Sequence, residues 1–159
     1  MQNANRVSRY AVTVFAFCIL HFEFCKLNYR RVIRLWGPVV LYMAAIFYFS
    51  SLPEAPLPPG LPDKPAHAFG YMGFGFVIAR ALAGGLPPHI TTRDLFIGLA
   101  IAIGYGAGDE FHQRFVPGRT ADLPDLYADA VGSATALIAC WAWGIISFLR
   151  RQSAVGSRQ

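Results

Sequence analysis

Apolar residues in this chain run in long blocks, separated by breaks rich in proline and glycine. Four blocks are long enough to read as membrane-crossing helices: Leu35–Leu52, Ala66 to about Leu86, Leu95 to about Gln113, and Ala130–Leu149. The last is 20 residues without a charge. Turn signals stand between them at 53–60 (Pro-Glu-Ala-Pro-Leu-Pro-Pro-Gly), 84–88 (Gly-Gly-Leu-Pro-Pro) and 117–118 (Pro-Gly). Pro38 falls near the start of the first block, where a helix tolerates proline best. An earlier stretch, Tyr10–Phe22, is apolar for only 13 residues. It reads as a cytoplasmic-side interfacial helix or a loosely specified extension or, if His21 and Glu23 are tolerated, as a fifth span. No small-residue cleavage site follows it, which disfavours a removed signal peptide. The expected fold is all-α: a polytopic transmembrane bundle of four core spans plus the N-terminal apolar helix. Residues 1–30 form the extension, 31–150 the membrane domain and 151–159 a cytoplasmic tail.

Composition supports this class. Of the 159 residues, 55% are hydrophobic and 14% charged, against about 25% charged in soluble domains. The net charge of +5 is segregated. Lys26, Arg30, Arg31 and Arg34 precede the first span, Arg80 and Arg93 flank the second connection, and Arg150, Arg151 and Arg158 follow the last span. The opposite loops hold Lys64, Arg114 and Arg119. By the positive-inside rule, both ends of the four-span unit face the cytoplasm. Seven of the nine carboxylates then collect on the outer side: Glu54, Asp63, Asp109, Glu110, Asp122, Asp125 and Asp129. Basic residues that flank apolar spans argue against nucleic-acid binding. Cys18, Cys25 and Cys140 form neither a metal-ligand pattern nor a disulfide framework, and Cys140 reads as a small packing residue.

The chemistry lies where a span carries charge. Leu95–Gly108 gives 14 uncharged residues, about 21 Å of a hydrocarbon core about 30 Å thick. Asp109, Glu110, His112 and Gln113 therefore enter the outer part of the bilayer. Ionisable groups at that depth point to a functional site. Three clusters are involved. In the first, Asp63, His67 and Tyr71 share a helix face at i, i+4, i+8, with Lys64 beside them. Asp63 as a helix cap and Lys64 as an interfacial snorkel is the simpler reading of those two. In the second, Asp109 and Gln113 share one face, and Glu110 and Arg114 another, open to a surface ion pair. Gly104, Gly106 and Gly108 precede it and would permit close helix approach. The third runs from Pro117-Gly118-Arg119 through Asp122 and Asp125 to Asp129 and Gly132. Its Arg119 offers a two-pronged clamp for phosphate or carboxylate. His89 reads as an ordinary loop residue.

As a set, these motifs resemble the VanZ-like family of small bacterial membrane proteins. The resemblance rests on Asp63-Lys64 with His67 and Tyr71, Asp109-Glu110-x-x-Gln113, Pro117-Gly118-Arg119, then Asp122, Asp125 and the acidic residue at 129 before Gly132, over about residues 35–148. Two positions depart from the family's usual pattern, which has Asn at 129 and Phe directly after His67. The resemblance implies a multi-pass cytoplasmic-membrane protein of a family named for a member linked to teicoplanin tolerance.

Three functions remain open. An enzyme acting on a lipid-linked or cell-envelope substrate would use His67 as general acid or base, Asp109 or Glu110 as its orienter and Arg119 as the anion clamp. Asp63, Lys64, Tyr71, Gln113, Asp122, Asp125 and Asp129 would bind. A divalent metal held by Asp109, Asp122, Asp125 and His67 is compatible with that chemistry. A non-enzymatic binder of membrane lipid, an envelope precursor or a glycopeptide would use the same groups for recognition. The third reading is a structural ion-pair lattice or a small transporter, and four helices would need an oligomer for transport. In the first two readings His67, a carboxylate of the second cluster, Arg119 and an acid of the third should meet around one pocket.

Overall fold

The computed structural model describes residues 29–53 and 62–156. The apolar stretch at 10–22 lies outside them. Residues 35–159 make one compact unit, and residues 1–34 are assigned to another. Among the described residues there are four helices and no strand: α1 (Tyr29–Ser50), α2 (Asp63–Leu82), α3 (Thr92–Gln113) and α4 (Leu123–Gly156). Two of them, α1 and most of α4, are long and apolar enough to cross a membrane by length and composition.

The boundaries differ from the apolar blocks in an informative way. Helix α1 begins before Leu35 and takes in Arg30, Arg31 and Arg34. Pro38 therefore sits inside the helix and not at its start, and its missing N–H removes one ladder bond. Helix α2 starts at Asp63 with Pro62 in the cap position, so Asp63 is the first helical residue and not the cap. Helix α3 opens on a reciprocal cap. The Thr91 hydroxyl accepts from the Asp94 amide, and the Asp94 carboxylate accepts from the Thr91 amide. Helix α4 begins seven residues before Ala130, so Asp125 and Asp129 belong to its first two turns.

The helices alternate in direction. Ser50 at the end of α1 meets Asp109 near the end of α3, and His67 near the start of α2 meets Asp129 near the start of α4. At the opposite end the Arg80 guanidinium donates to the Leu35 carbonyl, and the Trp141 indole N–H to the Thr92 hydroxyl. Helix α2 packs more extensively on α4 than on α3. Small residues permit this. A Cβ on Gly132 would strike the backbone carbonyl of Ala68, and one on Gly75 would stand 2.6 Å from the carbonyl oxygen of Ser133. Of the three glycines before the second cluster only Gly106 lies at a close approach, and Gly104 and Gly108 face open space.

Phe74 is the hub of the core, with Tyr42 stacked on it and Tyr71 and Tyr105 at ring-centroid distances of 5.7 and 5.4 Å. Ile78, Leu137 and Cys140 extend the core toward the other end. The outside is apolar as well. Leu41, Phe47, Phe69, Phe96, Phe111, Ile138 and Phe148 are exposed, drawn from all four helices.

Candidate functional site

The polar end of the bundle gathers the end of α1, the start of α2, the end of α3 and the start of α4. Among the described residues four carboxylates are buried there: Asp109, Glu110, Asp125 and Asp129. They divide into a bracing set and an inner cluster.

The bracing set ties the helix ends together. Ser50 donates to Asp109 Oδ1 at 2.6 Å, and Gln113 Nε2 donates to Asp109 Oδ2 at 3.3 Å. Both Asp109 oxygens are thus satisfied, and the expected shared face of Asp109 and Gln113 is a direct hydrogen bond. Lys64 Nζ lies 3.3 Å from Asp125 Oδ1 and 3.7 Å from Asp122 Oδ2, joining α2 to the start of α4. Hydrogen bonding to Asp125 holds this exposed ammonium above the usual lysine range. Arg119 does not reach toward Asp109 as an anion clamp facing the pocket would. Its Nε donates to the Leu52 carbonyl at 3.1 Å, and Nη2 to Phe49 at 3.4 Å, so it caps the carboxyl end of α1. Gly118, at φ +84°, makes the turn that brings it there.

The inner cluster is His67, Glu110 and Asp129, with Tyr71 alongside. His67 Nδ1 stands 2.9 Å from Asp129 Oδ1. Glu110 does not form the surface pair with Arg114 that its spacing allowed. It is 8% exposed, and its Oε2 accepts from the Asp122 amide at 3.0 Å. Arg114 lies instead over the Phe111 ring. Adjacent residues on a helix point about 100° apart, so Asp109 and Glu110 leave α3 in different directions. One donor atom each from His67, Glu110 and Asp129 lies within 4.8 Å of the others. Glu110 Oε1, Asp129 Oδ2 and the Tyr71 hydroxyl are buried without a hydrogen-bond partner. Asp129 Oδ2 and the Tyr71 ring edge both face Gly106, whose missing side chain leaves them room. The four-residue metal set read from the sequence does not gather: Asp109, Asp122 and Asp125 are held in the bracing contacts.

Sequence reasoning missed three serines. Ser50 partners Asp109, Ser51 Oγ lies 3.1 Å from His112 Nε2, and the fully buried Ser133 donates to the Tyr71 carbonyl. Ser50-Ser51 closes an apolar run just before Pro53, and polar residues at the end of a span are a usable signal. An apolar cleft of about 600 Å³, lined by Met72, Phe76, Pro87, Cys140 and Trp143 among others, shares no lining residue with this cluster.

The described residues thus form an all-helical bundle with an apolar exterior and an acid–histidine cluster at one end. The VanZ/LLP1 family model matches residues 10–147, and the chain belongs to that family. The match takes in residues 10–28 as well as α1, α2, α3 and α4 as far as residue 147. No curated protein and no solved structure matches the chain.

Proposed function

We propose that the chain is a four-span bacterial inner-membrane protein whose His67–Glu110–Asp129 cluster, in the outer leaflet, binds or acts on a lipid-linked or cell-envelope ligand. The observation that carries this reading is the pair of buried carboxylate oxygens, on Glu110 and Asp129, that no protein group satisfies. A buried polar atom left unpaired costs about 1–3 kcal/mol. Bracing does not require that cost, since Asp109 and Lys64 brace with their own partners. The exposed apolar side chains of all four helices favour a lipid surround, because a patch of that extent in water would aggregate. The lipid-linked ligand is what an outer-leaflet site would meet, and the cellular readout is chosen because the VanZ-like family is named for a member linked to teicoplanin tolerance. Catalysis and simple binding share this site, with His67 as the titratable group nearest to solvent.

Expression of the chain in a teicoplanin-sensitive bacterium tests the reading, with lipid extracts of the purified protein analysed by mass spectrometry. The native chain should change tolerance and carry a defined lipid-linked ligand, and His67→Gln should lose both while folding normally. A His67→Gln protein with full effect and the same bound lipid would defeat it. Topology is tested separately, in a chain with Cys18 and Cys25 replaced by serine and Cys140 by alanine. Cysteine at the exposed Thr120 should react with an impermeant reagent from outside, and cysteine at the exposed His89 only after the membrane is ruptured. The reverse pattern would invert the protein and place the site on the cytoplasmic side.

A further inference from the structure

We propose that His67, Glu110 and Asp129 are the three protein ligands of a divalent first-row metal ion, of the Zn2+ or Mn2+ kind. The proposal deepens the reading of this cluster as the working part of the site and rests on it.

Three observations converge. The donor atoms come from three different helices and lie within 4.8 Å of one another. In a six-coordinate shell with bonds of about 2.1 Å, neighbouring donors stand about 3.0 Å apart and opposite ones about 4.2 Å. The His67–Asp129 contact of 2.9 Å already has the length of such an edge. The 4.8 Å bound exceeds the separation of opposite donors, so binding would draw the donors inward by side-chain rotation. Second, Glu110 and Asp129, 8% and 1% exposed, each keep one oxygen without a hydrogen-bond partner. A cation supplies what those oxygens lack. Third, four carboxylates are buried at this end, and among the described residues their ion pairs are with Lys64 and His67. A divalent ion would offset the excess negative charge where the inner pair is most deeply enclosed.

One imidazole with two carboxylates is a mixed nitrogen and oxygen set. It suits Zn2+ or Mn2+ better than Ca2+, which takes six to eight oxygens. Three ligands leave positions for water or for an oxygen of the bound ligand. The Tyr71 hydroxyl, buried nearby and unpartnered, is placed to hydrogen-bond a group held there.

The test uses the full chain in detergent, stripped with a chelator and equilibrated with Zn2+ or Mn2+ alone, then analysed for metal by mass spectrometry. The native chain should hold about one equivalent, and His67→Gln and Glu110→Gln should bind at least about tenfold more weakly. His89→Gln, which alters an exposed histidine outside the cluster, should bind as the native chain does. With Mn2+ bound, electron spin-echo spectra should show coupling to an imidazole nitrogen that disappears in His67→Gln. Either of two results would overturn the site: no uptake by the native chain, or equal uptake by His67→Gln. Both readouts are independent of cellular tolerance. Loss of tolerance in His67→Gln without metal uptake in the native chain would therefore sink the metal and leave the ligand site standing. Metal uptake without any His67-dependent effect in the cell would do the reverse.

Discussion

Glu110→Gln is expected to melt no lower than the native chain and to abolish its effect in the cell. Measured in detergent with chelator present, the variant should gain about 1 kcal/mol. The reason is the split in what Glu110 does. Its Oε2 accepts from the Asp122 amide, and a glutamine carbonyl oxygen can do the same. Its other oxygen is buried and unpartnered. In the variant the –NH2 group replaces that oxygen, within the cluster that holds the equally unpartnered Asp129 Oδ2. A buried charge is removed and an orphan acceptor gains a donor. A group kept only for packing would not behave so, whereas functional residues commonly cost stability. A markedly lower melting temperature with tolerance unchanged would assign Glu110 to the scaffold.

Gly132→Ala should damage fold and site together. The added methyl would collide with the Ala68 carbonyl, a backbone atom that cannot rotate away, so α2 and α4 must separate. Overpacking of this kind costs about 1–3 kcal/mol. The contact lies one turn beyond Asp129 and one residue from His67, so separation also stretches their 2.9 Å hydrogen bond. Gly104→Ala and Gly108→Ala are the controls. Both positions open onto free space on α3, and alanine there should leave stability unchanged or raise it by about 0.5–1 kcal/mol. Thermal denaturation of the four proteins in one detergent decides the matter. A Gly132→Ala protein as stable as the controls would show that the α2–α4 interface has slack.

What the sequence made legible here was what depends on residues close together in the chain. The apolar blocks located all four described helices, and the i, i+4 spacing anticipated the Gln113–Asp109 bond. What it hid was long-range or belonged to the backbone. Nothing local pairs His67 with Asp129, 62 residues on, in preference to Asp109. Arg119 reads as an anion clamp until its acceptors prove to be main-chain carbonyls at the end of α1, and carbonyls leave no mark in a sequence. Glu110 and Asp109 are adjacent and chemically alike, yet one is fully satisfied and the other is not. That difference comes from the directions in which they leave α3 and from where Ser50 and Asp122 happen to lie. The start of α1 was hidden for another reason: arginines are good helix formers, so the helix continues through them although the apolar pattern stops.

The unequal uncharged lengths of the helices have a consequence for the lipid around them. If the bundle crosses the bilayer as proposed, α4 carries 20 residues between Asp129 and Arg150, about 30 Å and a full hydrocarbon thickness. Helix α3 carries 14 between Asp94 and Asp109, about 21 Å, and α2 only 12 between His67 and Arg80, about 18 Å. The circumference is therefore deep on one side and shallow on the other. Mismatch costs a fraction of a kcal/mol per Å and is relieved by thinning the adjacent membrane. Headgroups next to α2 and α3 would be drawn downward. A lipid there would meet His67 with its polar end while its chains stayed in oil.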